Sequence, residues 1–195
     1  MPGEGHFRGW QRRKTGVRSM NKKQAYLAIP ISACLIMLSF MPSFGRESDN
    51  IPPKVKASME LLQSGAAQLG PAKIEGTDRV GDKQVPAIYF GGTKMNNNFA
   101  LVDDVAKKAG GTATIFVKSG DDYVRVATNV KKDDGSRAVG TILDPSGKVI
   151  EDIRNNKAFY GDANILGKAY SAGYEPIRDS ANKVIGIYYV GYLKE

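Results

Sequence analysis

TATIFVKSGDDYVRVATNV, Thr112–Val130, is the stretch from which the rest of the chain can be read. Apolar, β-branched and aromatic residues flank Ser119-Gly120-Asp121-Asp122, whose residues favour turns. Two antiparallel strands, Thr112–Lys118 and Tyr123–Val130, are therefore expected to form a hairpin. Strict alternation along the second strand sets Tyr123, Arg125 and Ala127 on one face and Val124, Val126 and Thr128 on the other. A guanidinium in mid-strand, opposite a row of valines, is the first chemically distinctive feature.

Working outward, the same extended signal recurs towards the C-terminus. Lys168–Ile177 and Val184–Leu193 read as long strands around the turn Asp179-Ser180-Ala181-Asn182, with Tyr170, Ala172, Tyr174 and Pro176 on one face of the first. Towards the N-terminus, Lys83–Phe90 is a strand that Pro86 restricts to an edge or a bulge. GGTKMNNN is too small and polar to build a core and reads as a loop, and Phe99–Ala109 is a short helix stopped by Gly110-Gly111. Ala138–Leu143 is a further extended run and Val149–Asn155 a weak helix. Upstream, Val55, Met59, Leu62, Ala66 and Leu69 recur at helical spacing, giving a helix from Pro53 that Gly70-Pro71 ends. The sum is α+β: a long N-terminal helix, then a PAS-like antiparallel sheet of about five strands.

The chain has 195 residues and a net charge of +8, which taken whole would favour a nucleic-acid or membrane-surface partner. Its distribution argues against nucleic acid. Residues 1–45 hold seven Lys/Arg against one acid, and the remainder 21 against 19. Met20-Asn21-Lys22-Lys23, the uncharged run Ala25–Phe44 and the small Ser43 and Gly45 have the order of an export signal cleaved before Arg46. The run is also long enough for an uncleaved anchor, and Ile31-Ser32-Ala33-Cys34 resembles a lipoprotein box. All three readings place the domain outside the cytoplasm. The expected organisation is an upstream extension 1–19, a signal or anchor 20–45, a linker and helix 46–71, and a ligand-binding domain 72–195. His6, Trp10 and Cys34 are the sole residues of their types. A protein without its leader therefore has no imidazole or thiol for nucleophilic catalysis or a Cys/His metal site. No phosphate-binding loop or dinucleotide fingerprint is present, so no cofactor is expected. Ser180-Ala181-Asn182-Lys183 has S-x-x-K spacing but lies in a turn, and the paired aspartates lack calcium-loop spacing.

Five segments in order, Val85–Asp103, Gly110–Val130, Asp134–Leu143, Phe159–Ile177 and Lys183–Tyr192, resemble the extracytoplasmic Cache sensor domains of bacterial chemoreceptors and sensor kinases. The resemblance is to the fused Cache-three/Cache-two form. It implies a Cache fold that binds a small metabolite, often a carboxylate, between sheet and flanking loops and signals through terminal helices. Receptors of that type continue into a second membrane helix and a cytoplasmic region; none follows here, so a free-standing sensor is expected.

Arg125 and Arg137 are the candidate anion ligands, since each offers a planar fork matching a carboxylate. Either is equally readable as a solvated surface residue, and Arg125 as a partner of Asp121 or Asp122. Tyr123 and Thr128 on the same strand, and Tyr160, Tyr170 and Tyr174 with Lys168 nearby, complete the candidate set. Buried phenols combine apolar area with an orienting hydroxyl, although sheet packing explains them as well. The expected function is extracytoplasmic small-molecule sensing without catalysis. The alternative is an interaction module that docks on a membrane receptor or sensor kinase, or dimerises through the Pro53–Leu69 helix.

Overall fold

Helix α1 (Pro53–Leu69) starts on a proline, whose missing N–H costs nothing at a helix start, and turns Val55, Met59, Leu62 and Ala66 inward. The computed structural model describes residues 51–195. After α1 come β1 (Ala72–Val80), β2 (Lys83–Phe90), β3 (Thr93–Lys94), α2 (Ala100–Ala109), β4 (Thr112–Ser119) and β5 (Asp122–Thr128). α3 (Lys148–Arg154), β6 (Phe159–Ile165), β7 (Lys168–Arg178) and β8 (Val184–Leu193) complete the order. β1, β2 and β3 form a small sheet, and the main sheet runs β5-β4-β8-β7-β6 with every neighbour antiparallel. The α+β class and the five-stranded sheet are those expected from the sequence.

The main sheet separates two cores. On one face Ile115, Val117, Val124, Val126, Ile177 and Val190 pack with α1, with Val102 and Val105 of α2, and with Val85, Ile88 and Phe90 of β2. On the other face Phe116, Tyr174, Ile187 and Tyr189 lie under Ile150 and Ile153 of α3 and under Val130, Ala138 and Leu143 of the segment 129–147.

Three local expectations need correction. The GGTKMNNN stretch is not merely a polar loop: Met95 is buried in the first core, and buried Asn96 accepts from Ile88 N (2.9 Å) and donates to Pro86 O (3.1 Å). One amide side chain thus does the work of a strand partner for β2. Ala138–Leu143 is not a strand but a strap along the β5 edge, held by Gly140 N to Arg125 O and Leu143 N to Tyr123 O. β1, exposed over most of its length, and β6 had no clear apolar periodicity to announce them.

Candidate functional site

The site begins with an irregularity in the pairing of β4 and β5. Ile115 pairs with Ala127 and Phe116 with Arg125, leaving Val126 as an extra residue in a β-bulge. Val126 O, freed from the ladder, accepts from Asn97 N at 2.9 Å, and Asn97 takes a positive φ of 58° to reach it. The bulge breaks the alternation. Val126 and Ala127 both enter the α1-side core, and Thr128 pairs with Thr114, which pairs in turn with Tyr189. The expected split, with Arg125 and Thr128 on opposite faces, is therefore corrected: both lie on the face of Tyr189 and Tyr174.

On that face Arg125 is 4% exposed. Its Nη1 donates to Thr141 Oγ1 of the strap at 2.5 Å, and its guanidinium carbon sits 4.9 Å from the centre of the Phe116 ring. Nε is buried and has no hydrogen-bond partner among the described residues. Among the described residues no carboxylate forms an ion pair with Arg125. Burial pushes its pKa down, and Tyr174, Tyr189 and Tyr170 act in the opposite direction once ionised. The guanidinium nevertheless stays charged at any ordinary pH.

The phenols form a group beside it. The Tyr174 and Tyr189 rings are 4.9 Å apart, and Phe159 packs edge-on to Tyr174 at 6.1 Å. Tyr189 OH meets Thr112 Oγ1 at 2.9 Å, and Thr128 Oγ1 meets Thr114 Oγ1 at 2.6 Å while accepting from Val130 N. Burial holds the Tyr174 and Tyr189 phenols protonated well above their ordinary range. Tyr123 is buried in the same core. The result is one cation, neutral hydroxyls and apolar side chains gathered on one face of the main sheet.

The other candidates stand elsewhere. Arg137 spends its fork on Asp103 of α2, with Nη1 to Oδ1 at 2.7 Å and Nη2 to Oδ2 at 2.8 Å. It also donates to Thr128 O and stacks 4.5 Å over Phe99, so it ties the 129–147 segment to α2. Tyr160 belongs to the α1 face, where it donates to Glu175 Oε1 while Gln63 of α1 donates to Glu175 Oε2 at 2.6 Å. Lys168 is over half exposed, with Nζ 3.6 Å from the still more exposed Asp133. The structure therefore brings together Arg125, Tyr123, Thr128, Tyr170 and Tyr174; Arg137 meets this group at the Thr128 carbonyl with its fork turned to Asp103, and Tyr160 and Lys168 stand apart from it. Sequence reasoning missed Phe116, Thr141 and Tyr189. Their only signal is cross-strand register, which a single sequence does not display.

The model of the Cache 3/Cache 2 fusion domain matches residues 45–195. The chain belongs to that family. No curated protein matches it. Cache domains are extracytoplasmic sensor domains that bind small molecules and are typically non-catalytic. The five-stranded sheet, with α1 and α2 on one face and α3 with the segment 129–147 on the other, is this chain's Cache fold. No helix among the described residues is long and apolar enough to cross a membrane. The expected export signal or anchor at 20–45 lies outside the described residues.

Proposed function

We propose that this Cache domain senses a small carboxylate outside the cytoplasm, taken up at Arg125 beneath the strap Ala138–Leu143. The observation that supports the reading is a buried guanidinium whose Nε has no partner and which no carboxylate neutralises among the described residues. An unpaired buried charge is costly, and an anionic ligand removes that cost with charge-assisted hydrogen bonds. The hydroxyls of Tyr170, Tyr174 and Tyr189 supply neutral contacts, Ile187, Ala138 and Leu143 an apolar wall, and Thr128 fixes the end of β5 through its own hydrogen bonds. Membrane receptors or sensor kinases, and self-association through α1, remain proposals for how such binding is passed on.

The test is a thermal-shift and calorimetric screen of small carboxylates on the full chain. A true ligand at a hundred times its Kd adds about 2.7 kcal/mol of stability. The Arg125→Leu variant is expected to lose that response. A hit bound equally well by wild type and Arg125→Leu would sink the assignment.

A further inference from the structure

A concavity lies where the small sheet parts from the main one, and Arg125 is not among its lining residues. β1 pairs with β2 through Ile74, loses register before Thr77, and touches the end of β7 only through a bridge from Ala72 to Asp179. The seam leaves a groove of about 580 Å³, within the ~300–1,000 Å³ range of small-ligand sites. Its apolar lining includes Ile74, 39% exposed, together with Pro86, Val184 and Ile185.

Three lysines line the same groove: Lys73, Lys118 and Lys183. Lys73 pairs with Glu75 at 2.6 Å in an exposed, weak contact, whereas Lys118 and Lys183 form no ion pair among the described residues. The one acid in the lining, Asp179, is already committed: its Oδ1 accepts from Ala181 N and Lys183 N, both at 2.9 Å, and so shapes the β7–β8 turn. Lys118, Lys183 and Val184 also border a neighbouring hollow of about 310 Å³ lined by Arg154, which adds a further cation beside the groove.

We propose that this seam groove is a second binding site, for a soluble amphiphilic anion with an apolar chain or ring and one sulfonate, phosphate or carboxylate head. The apolar part covers Ile74, Pro86 and Ile185, and the head lies between Lys118 and Lys183. The proposal rests on charge complementarity and shape at the seam, and is independent of the Arg125 site.

The probe is octanesulfonate, titrated below its micelle concentration into the full chain and followed through backbone amide shifts. Saturable shifts are expected at Lys118, Gly120, Ser180, Lys183 and Ile185. Affinity is expected to fall at least tenfold in the Lys118→Glu/Lys183→Glu double variant and to be unchanged in Arg125→Leu. Octanol at the same concentration should not saturate these amides. Shifts confined to the Arg125 cluster, or equal affinity in the charge-reversed variant, would overturn the groove. A response only to phosphatidylglycerol vesicles, removed by charge reversal, would also overturn it by reassigning the lysines to a lipid surface. Failure of the Arg125 reading would instead appear as an absence of carboxylate response, with these groove shifts intact.

Discussion

Arg125 has one side-chain hydrogen bond, to Thr141 Oγ1, and that hydroxyl also donates to Ala138 O at 2.8 Å. Replacing the arginine therefore strands no essential partner. Exchanging a buried, unneutralised charge for an apolar side chain is commonly neutral or stabilising. Arg125→Leu is expected to leave the ligand-free melting temperature unchanged or raise it, as differential scanning calorimetry can show. A loss above about 2 kcal/mol would mean the guanidinium is already satisfied without ligand. Arg137 has the opposite character, since both arms of its fork are engaged. A double-mutant cycle of Arg137→Ala with Asp103→Ala should give a coupling of about 1 kcal/mol that weakens with salt, because the pair is partly exposed. A coupling of zero would remove its role in fastening the 129–147 segment. Both arginines look alike in sequence, where each sits among small and β-branched residues. Only their surroundings separate a neutralised cation from a buried, unneutralised one.

Among the elements, β5 is the one whose geometry decides the site. With Val126 as the extra residue, deleting it closes the bulge and keeps Ala127 opposite Ile115 and Arg125 opposite Phe116. The expected cost is the buried valine side chain, about 1.5–3 kcal/mol, with the hairpin cross-peaks retained in nuclear Overhauser spectra. Deleting Ile187 from β8, which pairs without interruption against β4, would turn the following residues to the wrong faces and is expected to abolish folding. If the Val126 deletion proved as damaging as that of Ile187, the bulge would be misplaced. The strands themselves were legible: β4, β5, β7 and β8 combine β-branched and aromatic runs with punctuating turns. The bulge was not, because an extra valine in a valine-rich strand leaves the composition unchanged. Its cause, the Asn97 amide that captures Val126 O, comes from a loop remote in sequence. β6, with Gly161, Asp162 and Asn164, has too little apolar signal to be recognised alone. Arg125, Tyr170 and Tyr174 were therefore readable as candidates, while Tyr189 and the meeting of all four depended on sheet order.

Across the whole molecule, burial acts in one direction on five of the eight tyrosines among the described residues. Tyr123, Tyr160, Tyr174, Tyr188 and Tyr189 are all held protonated above the ordinary value, chiefly because the phenolate would be desolvated. The native state thus holds these protons more tightly than the unfolded chain does. Their contribution to stability is complete below the unfolded value of about 10 and is lost as pH rises past it. Alkaline titration of phenolate absorbance should show these five ionising late, together with loss of near-ultraviolet circular dichroism. A single step for all nine with that signal intact would contradict the packing. The two ends of the described fold raise a different matter. Lys54 at the start of α1 lies 4.6 Å over the Tyr192 ring at the end of β8, and Tyr192 OH joins Ser58 Oγ to Ala109 O, both at 2.7 Å. Tension applied at Pro53 and Leu193 is therefore shared between that phenol, which holds the opening turn of α1, and the terminal rung of the β7–β8 ladder, where Leu193 pairs with Tyr170. Mechanically the domain is a clasp: one aromatic ring fastens the start of the described fold to its last strand.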